Sequence, residues 1–522
     1  MCAQSVQLSP VDAAWLHMED PTNLMMISGV MLLNGHADFE RIKEVYRVRL
    51  LQFTRFRQRV VESSAPLGMP HWELDPHFDL DAHVHHIALP DPGHKADLID
   101  FLSDISSTPL DFSKPLWQVH VVDNVMGGSA IVMRIHHSVG DGTALVAVTM
   151  RLFDEQPHSV FSPVPEKKKE KKPPSLLAAL TSPAASVWKT TRNMVGAIWQ
   201  ESAESLLHPS HLAELAQAAT QAATTGAGTV SRALMQPNDP ITPFKGKLGV
   251  KKRVAWSEPL ALADVKAIGQ QLGAKVNDVL VSAMTGALRQ YLLDQELNVH
   301  GMDLHAVIPV DLRSPEKALD LGNVFGMVFL GMPVGIEDPI ERLNEVKQRM
   351  DRLKSSGEAL LYFSLLNVFG VTPKQVEELA VDFFAARATT VFTNVVGPRS
   401  RLYIAGTAVE NVMFWVPQSG RLGMGISIYS YNGMVTLGVI TDALLVPDPE
   451  RITTRFGEEF RQLLTLAVAD SHSAQHPGTE EPAAIRRTPV SRPQCIAHTK
   501  TGSHCRNRAI TGSPYCRIHQ QV

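Results

Sequence analysis

The chain has very little cysteine: Cys2, Cys495, Cys505 and Cys516 are the only four, and none lies between the first two. A disulfide framework is thereby excluded for the body of the protein, and a reducing compartment such as the cytoplasm fits. Long apolar runs are lacking as well. The richest stretch, Met25 to Leu33, is broken by Ser28 and Gly29, well short of the ~18 apolar residues of a membrane span. The first ten residues lack the charged-then-apolar pattern of a secretory leader. A charge excess of one sign is also missing. The formal net charge of -4 gives no overall field for binding polyanions. No G-x-S-x-G elbow occurs, so the usual sign of a serine nucleophile is absent.

What is present is the balance of a folded protein, with 44% hydrophobic and 20% charged residues among 522. That length suits two domains with connections. In the first part, Ile27 to Leu33, Trp117 to Asp123 and Ala130 to Ile135 read as strands. Phe39 to Leu51 and Gly142 to Phe153 read as helices. Between Asp154 and Pro174 lie five prolines and the lysine run Lys167 to Lys172, the composition of an exposed linker. Alanine-rich segments at Ser186 to Ala203 and His211 to Thr224 have helical patterns.

A second α/β block follows. Helices are expected at Ala261 to Leu272 (capped at its start), Asn277 to Leu293 and Pro339 to Ser355. Strands are expected at Leu304 to Pro309, Val324 to Val334, Ala388 to Val395, Gly423 to Tyr431 and Met434 to Thr441. The expected domains are therefore a first lobe at 1–155, a linker and helical connection at 156–240, a second lobe at 241–470, a flexible tether at 471–493 and a small Cys/His module at 494–522.

One segment carries chemistry: Ile131-Val-Met-Arg-Ile-His136-His137-Ser-Val-Gly140-Asp141-Gly142. Paired histidines at a strand's end enter a loop, with an acid four residues after the second. Imidazole suits a general base because its ordinary pKa of about 6.5 lies near neutrality. Gly140 and Gly142 would let the backbone come close to a ligand or a facing domain, and Asp141 could pair with a cation and hold the loop.

The His-His-x3-Asp-Gly pattern resembles the active-site motif of the chloramphenicol acetyltransferase-like superfamily. Further matches resemble its wax ester synthase/diacylglycerol acyltransferase family: Leu8-Ser-Pro-Val-Asp-Ala13, Pro115-Leu-Trp117, Asn277-Asp278, Pro309-Val-Asp-Leu-Arg313 and Asn394-Val-Val-Gly-Pro398. The last departs from the family with Val396 where proline is more common. This resemblance spans roughly residues 5 to 468. It implies two lobes of that superfamily with a tunnel at their interface, an α/β (α+β) fold. It also implies His137 as the general base, with His136, Asp141, Gly142, Arg313, Asn277 and Asp278 in support. Arg313 is expected to pair with Asp141.

The implied substrates are acyl-CoA and a hydrophobic alcohol such as diacylglycerol or a long-chain alcohol, with no catalytic cofactor. The cytoplasm, or peripheral contact with the inner membrane face or lipid inclusions, is the expected location. Two alternatives stand beside this reading. One is a condensation-type acyltransferase fed by a carrier protein, against which no carrier domain is recognisable. The other is a non-catalytic lipid-droplet or scaffold protein, against which the motif is intact.

Two histidine clusters remain. His77, His83, His85 and His86 include an alternating pair, His83 and His85, that would share a strand face, but no carboxylate or cysteine spacing completes a metal site. In the tail, Cys495-x9-Cys505-x10-Cys516-x2-His519 supplies three thiolates and one imidazole, enough for tetrahedral zinc. His498 and His504 are rival ligands. The tail resembles WRC-type Cys3His modules, and its partner, protein or nucleic acid, is open.

Overall fold

Nine consecutive residues, Gly128–His136, are buried along their whole length. A short apolar run bounded by turn residues forms such a strand when both of its faces are covered. In the computed structural model this strand lies at the centre of the first of two mixed sheets. The structure describes residues 5–64, 68–157, 237–313, 317, 319–354, 374–418, 420–475 and 496–497. Met1–Ala469 form one compact unit and Asp470–Val522 another. The lysine run, the alanine-rich helices expected between 175 and 235, and the ligands expected at Cys495, Cys505, Cys516 and His519 lie outside the described residues.

The first half supplies helix α1 (Pro10–His17), β1 (Met26–Asn34), β2 (Val84–Ala88), α2 (Lys95–Ser106), β3 (Trp117–Val125), β4 (Gly128–His136) and α3 (Gly142–Thr149). From the second half come β5 (Lys252–Trp256), α4 (Val276–Asp294), β6 (Leu304–Asp311), β7 (Phe325–Met332) and α5 (Pro339–Lys354). They are followed by β8 (Thr390–Val396), β9 (Thr407–Trp415), β10 (Met424–Tyr431), β11 (Met434–Asp442) and α6 (Pro449–Gln475). The first sheet runs β9-β1-β4-β3-β2, with the short strand Tyr403–Ile404 outside β9. In the second sheet the order is β7-β6-β8-β10-β11-β5, with Leu260–Ala261 also paired to β11.

One strand crosses the division expected near residue 240. β9, from the second half of the chain, pairs antiparallel with β1, from Ala408↔Asn34 to Trp415↔Ser28. An apolar strand pattern specifies a strand and its buried face, but pairing partners are chosen by tertiary packing. The Trp415 indole donates to the Ala255 carbonyl of β5 at 3.1 Å, and α2 packs on β5. Strand exchange and packing thus tie the two sheets together.

Two further expectations change in detail. Helix 262–271 has Ala261 at its N-cap and no side-chain capping bond there. At α4 the N-cap is Lys275, and Asp278, three residues on, accepts a hydrogen bond from the Lys275 backbone N–H. Asn277 instead accepts from Asn394 Nδ2 at 2.8 Å, joining α4 to β8.

Candidate active site

β4 ends at His136, the chain makes a short turn over His137–Val139, and Asp141 caps α3 by accepting from the Ala144 N–H at 3.0 Å. The two histidines are thereby sent to different surroundings. His136 is fully buried. Its Nδ1 accepts from the Ser138 backbone N–H at 3.1 Å and lies 2.7 Å from Ser138 Oγ, and its Nε2 lies 3.4 Å from Glu19 Oε2. Both of its nitrogens face protein, which suits a residue that braces the loop.

His137 instead lines a cavity of about 310 Å³, at the lower end of the ~300–1,000 Å³ usual for ligand pockets. Met31, Met133 and Leu145 line it from the first half, and Phe325, Thr393 and Tyr429 from the second. Asn394 also borders it. The His137 Nδ1 lies 2.9 Å from Asn323 Oδ1, whereas Nε2 has no partner among the described residues. One face of the ring stacks on Trp15, with centroids 4.1 Å apart and planes 13° from parallel. Burial disfavours the imidazolium and pushes His137 down to about 4, against a weaker upward pull from the Asp141 charge.

Asp141 does not bond to His137. Its carboxylate takes Arg313 Nη1 and Nη2, at 2.8 Å each, and the Val324 N–H at 2.9 Å, besides capping α3. Arg313 Nη2 also donates to the Gly322 carbonyl at 2.8 Å. This set of bonds joins the histidine loop to the segment between β6 and β7. Gly140 is extended (φ 174°), and a Cβ there would lie 3.3 Å from the Leu321 side chain, so the facing half comes close. At Gly142 a Cβ would meet no atom within 4 Å. Neither neighbours nor backbone require that glycine, and its missing side chain enlarges the cavity it lines.

Other candidates have structural partners. Trp117 is buried and its indole donates to the Phe56 carbonyl at 2.9 Å. His83 precedes β2, stacks on Trp117 and bonds its carbonyl through Nδ1 at 2.8 Å. His85 lies beside His120, and His86 bonds Asp123. His83 and His85 therefore do not form one site. Among the described residues no group of three His, Cys, Asp or Glu side chains could hold a metal ion.

Sequence reasoning gave no role to three residues around His137: Asp12, which lies in the Leu8–Ala13 match, Trp15 and Asn323. Asn323 Nδ2 donates to the His137 carbonyl at 2.8 Å and to Asp12 Oδ1 at 2.7 Å. Asp12 and Trp15 sit three positions apart in α1, which packs on the histidine turn. A signal existed in Ser9-Pro10, a helix start that fixes which face of α1 the two residues share. For Asn323 no local signal exists.

Residues 8–280 match the wax ester synthase/diacylglycerol acyltransferase catalytic domain, and residues 321–464 match the WS/DGAT C-terminal domain. A putative diacylglycerol O-acyltransferase of Mycobacterium bovis is 27% identical over 469 residues, covering 88% of this chain and 96% of the relative. Another putative diacylglycerol O-acyltransferase, from Mycobacterium tuberculosis, is 26% identical over 496 residues, 90% of this chain and 99% of its own. Among solved structures, the wax ester synthase/diacylglycerol acyltransferase of Marinobacter aquaeolei VT8 superposes with a TM-score of 0.61 at 22% identity, over 89% of this chain and all of that one. The starter condensation domain of rhizomide synthetase shares the fold at a TM-score of 0.53 and 14% identity, over 89% and 94% of the two chains.

Proposed function

The chain belongs to the wax ester synthase/diacylglycerol acyltransferase family, and on that premise we propose His137 as the general base of an acyl-CoA:alcohol O-acyltransferase. The product is a triacylglycerol when the acceptor is diacylglycerol, and a wax ester when it is a long-chain alcohol. One observation carries the residue assignment: His137 lines an apolar cavity bordered by both halves, with Nδ1 engaged and Nε2 free.

His137 Nε2 takes the proton of the acceptor hydroxyl as its oxygen attacks the thioester carbonyl carbon. The tetrahedral intermediate collapses, the C–S bond breaks, and the same imidazolium returns the proton to the departing CoA sulfur. A positioned base of this kind typically contributes ~10²–10⁴-fold, and holding both substrates at one cavity adds orientation. Methionine, leucine and aromatic side chains make the cavity a fit for the acyl chain. Asp141 and Arg313 hold the loop, and Asn277 with Asn394 holds the second-half wall near it.

Purified protein should release CoA from hexadecanoyl-CoA only when diacylglycerol or hexadecanol is added, and His137→Gln should abolish this. Release without an acceptor, or an active His137→Gln enzyme, would refute the reading.

Peripheral contact with a membrane or lipid inclusion belongs to the same reading, because acceptor and product are water-insoluble. No helix among the described residues is long and apolar enough to cross a membrane. One structural zinc held by Cys495, Cys505, Cys516 and His519, apart from catalysis, completes the proposal.

A further inference from the structure

An imidazole acts as a base only through the nitrogen that lacks the proton, so its tautomer has to be fixed by whatever the other nitrogen meets. At His137 the ring meets its own backbone carbonyl and an amide, and the orientation of the amide is determined. The His137 carbonyl oxygen can only accept, and it lies 2.8 Å from one end of the Asn323 side chain, so that end is the NH2 group. The other end is Oδ1, an acceptor, and the His137 Nδ1 2.9 Å away must carry the hydrogen.

Asp12 holds the amide from behind. Its Oδ1 accepts the Asn323 backbone N–H at 2.9 Å and Nδ2–H at 2.7 Å. Asp12 and Asn323 are both buried, so the chain is shielded from competing water. Ser9 caps α1 and fixes Asp12 in place, and the Trp15 indole covers one ring face from the same helix.

Resting on the acyltransferase reading, we propose that Asn323, held by Asp12, is the positioning residue that keeps His137 in the Nδ1–H tautomer with a bare Nε2. It occupies the place that a carboxylate takes in other nucleophile-and-base arrangements. The difference matters, because an amide orients the ring without adding a charge that would favour imidazolium. The charged and titratable groups around the ring are Asp12 on α1, His136 and Asp141 on its own loop, Arg313 paired to Asp141, and Arg55 acting on Asp12, with Asp311 of β6 and Tyr429 and Tyr431 of β10 on the walls of the same cavity. Asn323 contributes no charge, and burial outweighs the upward pull of Asp141, which is itself paired to Arg313, so the ring stays neutral.

The test has two arms. In wild-type protein carrying 15N-histidine, long-range proton–nitrogen spectra report the tautomer, with the His137 signal identified by its loss in His137→Gln. Nδ1–H is expected, and Nε2–H would overturn the proposal whatever the activity. In the second arm, kcat and KM for hexadecanoyl-CoA with hexadecanol are followed against pH. Asn323→Leu should lower kcat by at least about 10²-fold, with KM for the acyl-CoA changed by less than about threefold. Asn323→Asp restores the acceptor and places a carboxylate against the ring. It should recover at least about tenfold of the lost rate and raise the acid limb of kcat/KM by about one pH unit or more.

An unchanged kcat in Asn323→Leu, or an acid limb unmoved in Asn323→Asp, would overturn the assignment. If Asn323→Leu fails to fold, the wild-type tautomer and the Asn323→Asp limb decide. A wild-type enzyme that transfers no acyl group would instead sink the acyltransferase reading, and the spectra would still report the ring.

Discussion

Arg313 grips Asp141 with both terminal nitrogens, at 2.8 Å each, across 172 positions of sequence. Both side chains are buried, at 2% and 6% exposure. The carboxylate also holds the Val324 and Ala144 N–H groups. Removing one partner leaves a buried charge unpaired, which typically costs ~3–5 kcal/mol. Asp141→Ala should therefore lower unfolding stability by about that amount and reduce activity as well. Urea unfolding checks it, and a loss under about 1 kcal/mol, the range of a surface ion pair, would show that the pair does not tie the halves together.

His137 and His136 should separate cleanly. His137→Ala is expected to remove acyl transfer, by at least about 10²-fold, with thermal unfolding near that of the wild type. His136→Ala loses a fully buried ring whose Nδ1 accepts from the Ser138 N–H, so it should lose stability first and activity only in part. Equal residual rates in two well-folded variants would contradict the assignment of the base.

The pH profile follows from burial. His137 is pushed down to about 4, and it must be neutral to accept a proton. Activity is therefore present above that value and lost as pH falls through it. The acid limb of kcat/KM should lie near 4 rather than at the ordinary imidazole value of about 6.5. Because the unfolded chain takes up the proton first, stability also declines as pH falls from about 6.5 towards 4. His120, also pushed down to about 4 by burial, adds to that decline. Rates need to be read before unfolding sets in, with circular dichroism as the control. A limb between 6 and 7 in folded protein would exclude His137 in this environment.

The cavity should set the acyl length. Val146 on α3 lines it, and Val146→Trp would fill part of the space at a packing cost of ~1–3 kcal/mol. The ratio of kcat/KM for octanoyl-CoA over hexadecanoyl-CoA should rise by about tenfold, a discrimination typical of a few contacts in an apolar pocket. Competition assays with both thioesters measure it. No change in the ratio would place the acyl chain elsewhere.

Deleting residues 490–522 should leave turnover within about threefold, the span of a change with no transition-state contact. Elemental analysis of the intact protein should find one zinc per chain, and none after the deletion. Loss of activity in a folded truncation, or a metal-free intact protein, would remove the idea of an independent zinc tail.

The sequence by itself determined a good deal. Apolar runs and turn residues marked eight of the eleven strands numbered above, including β4 but neither β5 nor β9, because the period of buried side chains depends on local geometry. The histidine motif stood out because a base, a helix cap and two glycines fall within a few residues of each other. What it left undetermined was long-range. The pairing of β9 with β1 joins segments nearly 400 residues apart, and no local pattern names a partner strand. Asn323 looked like any polar loop residue until the fold set it against His137 and Asp12. The two adjacent histidines, alike in sequence, differ because Ser138 and Glu19 take up one ring and Asn323 and the cavity take up the other. Residue types supplied the chemistry, but which nitrogen is free was decided by hydrogen bonds between distant segments, and those exist only once the chain has folded.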